Sequence, residues 1–191
     1  MYEHLILYKY SKRDKMKTKI ILIVGPSGVG KDTLIKGAKK ELKTDINFVK
    51  RYITRKPDKS EKNYYLDEYA FEILKHNSLF VSTWNAHDNF YGISKNSIKN
   101  GLNIISISRS KIEDFEKIYK DVYTINITVP KEELRNRLLI RKRESEEEIE
   151  KRLNRTYKKI KARNLIDFDN SGEIEESVNT FIKLLKKIDS E

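Results

Sequence analysis

Ile20-Ile21-Leu22-Ile23-Val24-Gly25-Pro26-Ser27-Gly28-Val29-Gly30-Lys31-Asp32-Thr33 is the stretch on which the reading of this chain turns. Five apolar residues in a row, without polar alternation, predict a parallel strand buried on both faces. The glycines at 25, 28 and 30 let the backbone turn so that consecutive N–H groups converge on one anion, with no Cβ in the way. Leu34, Ile35, Ala38 and Leu42 recur at helical spacing, so a helix opens near Lys31 and turns its positive end toward the same anion. Lys31 completes the pattern, because its ammonium can reach the β and γ phosphates of ATP. Glycine spacing alone also occurs in ordinary strand-to-helix turns; the strand before it and the helix after it carry the argument.

The loop departs from its usual form at one point. Asp32 stands where Ser or Thr commonly holds magnesium. A carboxylate is itself a hard oxygen ligand, and Thr33 follows, so Asp32 and Thr33 are the candidate metal ligands. ATP and Mg²⁺ are the expected cofactors. The ATP site comprises Gly25, Pro26, Ser27, Gly28, Val29, Gly30, Lys31, Asp32 and Thr33, with Lys31 also catalytic.

Working outward, residues 47–53 read as a second strand. Residues 56–100 are Tyr- and Asn-rich, with helical hints at 67–75 and 94–100 and strand hints at 79–84 and 89–92, and read as an inserted lobe. Alternation then resumes. Asn103 to Ser108 is a strand; Ser110 and Glu113 suggest a capping box for a helix with Ile112, Phe115 and Ile118 inward. Val122 to Val129 is a β-branched strand. Pro130, Glu132 and Glu133 suit the start of the next helix. Ser145 and Glu148 form another capping box, opening a long basic helix striped by Ile149, Leu153, Tyr157 and Ile160. A short strand at 164–168 leads to a last helix with Ile174, Val178, Phe181, Ile182 and Leu185 inward. Strands alternating with helices predict a parallel α/β sheet with right-handed crossovers.

The bulk numbers bound the rest. A chain of 191 residues fits one domain with a small inserted lobe. A formal charge of +11 attracts polyanions of any kind, so it does not separate nucleic acid from nucleotide or sugar phosphate. With no cysteine, disulfides and thiolate metal sites are excluded. The longest apolar run is far too short to cross a bilayer, and residues 1–17 lack the features of a signal peptide. Residues 1–17 read as an N-terminal extension, with Met16 as a second possible start, and residues 18–191 as a single domain. The expected location is the cytoplasm.

The loop Gly25 to Lys31, the segment Thr54-Arg55-Lys56-Pro57, the stretch Asn89-Phe90-Tyr91-Gly92 and the segment Ser145 to Leu153 together resemble guanylate kinases, over roughly residues 19–188. The resemblance implies a P-loop kinase fold: a central parallel sheet flanked by helices, an inserted acceptor-binding lobe at about 55–95 and a helical lid at about 140–155. Guanylate kinases read guanine with acids in two strands. By spacing, this chain has Ser82 at the first place and Ile104-Ile105-Ser106-Ile107-Ser108 at the second. Asp58 replaces the second arginine of their acceptor loop. A buried guanine site without an acceptor carboxylate would leave the ring's N–H donors unpaired.

Ribose 1,5-bisphosphate phosphokinases of phosphonate breakdown lack the same features, and the chain is similar to them at several short segments. These are Gly30-Lys31-Asp32, Arg51-Tyr52-Ile53-Thr54-Arg55, Trp84 seven residues before Tyr91, Ser108-Arg109, Arg141-Lys142-Arg143-Glu144, and Asp169 to Gly172. The resemblance implies transfer of the ATP γ-phosphoryl group to ribose 1,5-bisphosphate, giving phosphoribosyl pyrophosphate. A guanylate kinase or another nucleoside monophosphate kinase is the alternative. Such an acceptor is already an ionised phosphate oxygen, so positioning and charge neutralisation replace general-base catalysis. No His–carboxylate pair stands out in the sequence.

Arg51, Arg55, Ser108 and Arg109 are the candidates for holding the acceptor's phosphates, because an arginine fork grips phosphate oxygens bidentately. Tyr91 with Gly92 either binds an acceptor phosphate or packs. Trp84 reads as core. Arg141, Arg143 and Arg152 are lid candidates, with Arg141 and Arg152 placed on the transferring group. Asn170 is assigned to the ATP site by resemblance. His87, without a second ligand nearby, is neither catalytic nor metal-binding. The expected partner is a small sugar-phosphate or nucleotide acceptor, with neither nucleic acid nor membrane. A catalytically dead peptide-binding module is disfavoured by the intact loop.

Overall fold

The structure is a computed structural model that describes residues 18–42, 46–56, 63–86, 88–140, 145–156 and 159–191. The expectations for residues 1–17, Pro57, Asp58, His87, Arg141, Arg143 and Tyr157 lie outside the described residues, as do the side chains of Arg152 and its neighbours 151 and 154–156.

Nine strands and six α-helices are described. In chain order they are β1 Thr18–Val24, α1 Lys31–Glu41, β2 Ile46–Phe48, β3 Tyr52–Ile53, β4 Tyr64–Tyr65, α2 Glu68–His76, β5 Phe80–Ala86, β6 Asn89–Ser94, β7 Gly101–Ser106, α3 Ile112–Glu116, β8 Asp121–Thr128, α4 Lys131–Ile140, α5 Glu146–Thr156, β9 Leu165–Asp169 and α6 Ile174–Ser190. One sheet has five strands in the order β2-β7-β1-β8-β9, with β2 parallel to β7 and β8 parallel to β9. A second sheet has the order β4-β3-β6-β5; β6 runs antiparallel to both β3 and β5. The α/β architecture expected from the sequence is present, with a second, smaller sheet. Ile20 to Val24 are wholly buried, as a central strand covered on both faces requires.

The contacts divide the chain into two compact units. One holds the described residues of Met1–Ile21 and Asp45–Val122; the other holds those of Leu22–Thr44 and Tyr123–Glu191. In the first unit, Phe71 of α2 stacks on Phe80 and Phe90, at ring separations of 4.9 and 5.6 Å. Gly92 permits this packing, because a Cβ there would lie 2.7 Å from the Phe80 ring. In the second unit α1 and α6 pack closely, and a Cβ on Gly37 would collide with Val178. Ser145 and Glu148 form the expected capping box: the Ser145 N–H donates to Glu148 Oε2 at 2.8 Å and the Glu148 N–H to Ser145 Oγ at 3.3 Å.

Several local expectations are corrected. Residues 47–53 are not one strand: β2 joins the five-stranded sheet, and after a break at 49–51 β3 joins the other. The helical hint at 94–100 is a single 3₁₀ turn, Lys95–Ser97. Ser110 does not cap a helix with Glu113. A 3₁₀ turn at Arg109–Lys111 delays α3, whose cap position falls on Lys111, and Glu113 pairs instead with Lys117 at 2.8 Å. Ile118 is exposed, and Tyr119 takes the buried place. The basic helix does not reach Ile160, which lies outside it. Ile174 is 68% exposed rather than inward, while Phe181, Ile182, Leu185 and Ile188 carry the buried face of α6. Among the described residues no helix is long and apolar enough to cross a membrane.

Candidate active site

The phosphate loop occupies the six residues between β1 and α1. Gly25, Gly28 and Gly30 have φ of 143°, 94° and 98°, backbone that side-chain-bearing residues rarely adopt. Val29 is the loop's buried anchor, wholly covered, whereas Ser27, Asp32 and Thr33 are exposed. Lys31 curls back over the loop: its ammonium donates to the carbonyls of Gly25 and Pro26, each at 2.7 Å.

Two side chains from elsewhere in this unit fix the loop from outside. Asn170, 7% exposed just past β9, donates from Nδ2 to the Val29 carbonyl at 2.7 Å. Arg137 on α4 donates to the same carbonyl at 3.2 Å and to the Asn170 carbonyl at 2.8 Å. Glu133, one helical turn earlier, accepts from Nη2, the nitrogen that also donates to the Asn170 carbonyl. Hydrogen bonds to a charged donor are worth about 1.5–3 kcal/mol each, so this triangle holds the loop's shape rather than leaving it to the glycines. The same residues border a cavity of about 310 Å³ lined by Gly28, Gly30, Thr33, Leu34, Arg137, Ile140, Asn170, Gly172 and Ile174. Exposed Ile174 is therefore one of its apolar walls, alongside Ile140 and Leu34. Asn170 lines the cavity, and its amide is committed to the loop backbone.

Arg137 was missed by reading the sequence. Its signal is faint: a Glu133–Arg137 pair four apart reads as ordinary helix surface.

The other unit collects the acceptor candidates. Register pairs Trp84 with Tyr91 and Tyr91 with Ile53, so these side chains share one face of the smaller sheet. Trp84 and Tyr91 stack at 5.4 Å with an interplanar angle of 5°, and the Arg51 guanidinium lies 5.7 Å from the centroid of the Tyr91 ring. Trp84 is buried, as read, and it stacks on the ring that the Arg51 cation approaches. Gly92 contributes space for Phe80 and no side chain. Arg55 is exposed, just beyond β3. Ser108 and Arg109 follow β7, with Ser108 Oγ 3.1 Å from Ser110 Oγ. Arg109 is half-buried, and that burial lowers its pKa from the usual arginine value; arginine nevertheless stays charged.

Ser82 is 4% exposed and donates to Asp114 Oδ2 at 2.7 Å. The strand lacks an acid at this place, as the sequence says, yet α3 delivers a carboxylate to it. Among the described residues no group of three or more His, Cys, Asp or Glu could hold a metal ion. Arg152 lies in α5, whose buried contacts are Ile149 and Leu153.

A buried strand, a loop of left-handed glycines and a lysine folded over its rim at a helix start define a P-loop nucleotide-binding protein. The chain belongs to the guanylate kinase family, whose profile matches residues 17–188. It is 35% identical over 167 residues to ribose 1,5-bisphosphate phosphokinase PhnN of Desulfomicrobium baculatum, covering 83% of this chain and 89% of that protein. It is also 35% identical over 178 residues to a bifunctional ribose 1,5-bisphosphokinase-thymidine phosphorylase of Roseobacter denitrificans, covering 89% of this chain. The match spans about a quarter of that protein's length, 26%. Among solved structures it resembles guanylate kinase from Anaplasma phagocytophilum, with a TM-score of 0.60, 19% identity, and coverage of 92% of this chain and 88% of that one. That likeness speaks for the fold.

Proposed function

We propose that this chain transfers the γ-phosphoryl group of ATP to the 1-phosphate of ribose 1,5-bisphosphate, giving 5-phosphoribosyl 1-diphosphate and ADP. The observation that carries this reading is the pinned phosphate loop in a chain that matches PhnN proteins along most of its length. An oxygen of the acceptor phosphate attacks the γ-phosphorus while the bond to the bridging oxygen of ADP breaks. The acceptor oxygen carries no proton that must be removed, so the protein's work is alignment and neutralisation of charge.

In this reading the loop N–H groups from Gly25 to Lys31 take the phosphate tail. Lys31 leaves the two carbonyls that it caps and follows the charge moving between the β and γ positions. The cavity beside Asn170 and Ile174 takes the nucleoside end. Asp32 and Thr33, hard oxygen donors exposed at the first turn of α1, suit a magnesium ion, which would neutralise charge between the β and γ phosphates. Arg51, Arg55, Ser108 and Arg109 hold the acceptor phosphates, with Tyr91 as the platform under Arg51. Arg141 and Arg152 act as the lid cations. Residues 18–191 serve as one catalytic domain, with the lobe at about 55–95 as the acceptor side. The site of action is the cytoplasm, and the partners are small phosphorylated molecules.

The test is a coupled ADP-release assay on the purified protein, with ribose 1,5-bisphosphate and GMP as rival acceptors. Turnover of the sugar bisphosphate at least about tenfold more efficient than that of GMP supports the proposal; the reverse order selects a nucleoside monophosphate kinase.

A further inference from the structure

The acceptor face of the smaller sheet is cationic and aromatic at one end and carries a carboxylate at the other. Register places Ser82 and Trp84 on the same face of β5, paired with Ile93 and Tyr91 of β6. Trp84 stacks on Tyr91, whose ring the Arg51 guanidinium also approaches, and two residues along β5 from Trp84 stands Ser82. The Ser82 hydroxyl is buried and donates to Asp114 Oδ2 at 2.7 Å, tying α3 to the strand across 32 residues of sequence. Lys111 Nζ lies 3.5 Å from the same oxygen. Both described partners of Asp114 thus fall on Oδ2, and its side chain keeps 33% of its surface accessible.

Phosphates need donors, which Arg51 and its neighbours supply. The remaining polar groups of a sugar bisphosphate are the ring oxygen and two hydroxyls; only the hydroxyls can donate, and an ionised carboxylate only accepts. Resting on the function proposed above, we propose that Asp114, held by Ser82, is a specificity-determining residue that accepts a hydrogen bond from a ring hydroxyl of the acceptor sugar. Ser82 is a positioning residue: its hydroxyl fixes Oδ2 and leaves Oδ1 without a described partner. A site built to bond a hydroxyl rejects the analogue that lacks it, because a carboxylate that the bound sugar shields from water is then left unpaired.

The experiment compares kcat/KM for ribose 1,5-bisphosphate with its 2-deoxy and 3-deoxy analogues, in the wild type and in Asp114→Ala, Asp114→Asn and Ser82→Ala variants. The wild type is expected to prefer the parent sugar over at least one deoxy analogue by about 100-fold or more. Asp114→Ala should bring that ratio below about 5 by losing activity on the parent alone. Asp114→Asn, which keeps an accepting oxygen and the shape of the side chain, should retain part of the preference, and Ser82→Ala should lower it. A merely structural tie between α3 and β5 would depress all acceptors equally and leave the ratio intact, which overturns the proposal. Wild-type turnover that ignores both hydroxyls overturns it too, while the phosphokinase reading stands. Absence of turnover on any of the sugar bisphosphates brings down that reading and this inference with it.

Discussion

Replacing Gly30 by alanine tests the loop at its most constrained point. Gly30 has φ 98° and ψ 11° immediately before α1. A residue with a Cβ pays about 1–2 kcal/mol to hold such a left-handed conformation. The new methyl would also fall on Asn170 Nδ2, the atom that donates to the Val29 carbonyl. Pushing that amide aside removes a buried hydrogen bond, at a net cost of about 1 kcal/mol and up to about 3 if either group is left bare. Arg137, which shares the Val29 carbonyl, limits the loss without preventing it. The sum is about 2–4 kcal/mol, directed at the loop rather than at the core. Titration calorimetry with a non-hydrolysable ATP analogue should then show Kd raised at least about 30-fold for Gly30→Ala. Denaturant unfolding should show a lower midpoint with an unchanged slope. Wild-type affinity together with a wild-type midpoint would refute both the strain and the clash.

Lys31→Met removes the ammonium that follows the phosphate charge; steady-state assays should show turnover lowered at least about a hundredfold, near 3 kcal/mol, with the fold unchanged by circular dichroism. Trp84→Leu strips the Tyr91 ring of its stacking partner. It should cost about 2–4 kcal/mol in chemical denaturation and raise KM for the acceptor more than KM for ATP. Ser145→Ala breaks one half of the capping box and should destabilise α5 by about 1 kcal/mol, visible as faster amide exchange in its first turn. Each would be contradicted by a variant that matches wild type in the named measurement.

What could be read in the sequence was what local pattern encodes. The run Ile20 to Val24 and the glycines after it announce strand, loop and helix within a dozen residues, because burial and backbone freedom act there without distant partners. The capping box at Ser145 is equally local. Ser110 and Glu113 show the same spacing, yet the 3₁₀ turn before α3 takes the chain past the cap, and spacing alone cannot register that turn. The smaller sheet was the hardest part to read. β3 and β4 have two residues each, too short for any periodicity, and they are strands only because β3 pairs with β4 on one side and β6 on the other. Arg137 and Asp114 were invisible for a related reason. One reaches a carbonyl 108 residues away and the other a hydroxyl 32 residues away, so their roles exist only in the folded chain.

The most direct test of the account follows the transferred atom. Incubating the protein with ribose 1,5-bisphosphate and ATP labelled at the γ-phosphorus should place the label in the outer phosphate of a new diphosphate at C1. Label recovered only as inorganic phosphate, or only on GMP when that is offered beside the sugar, would contradict the assignment of the phosphate acceptor.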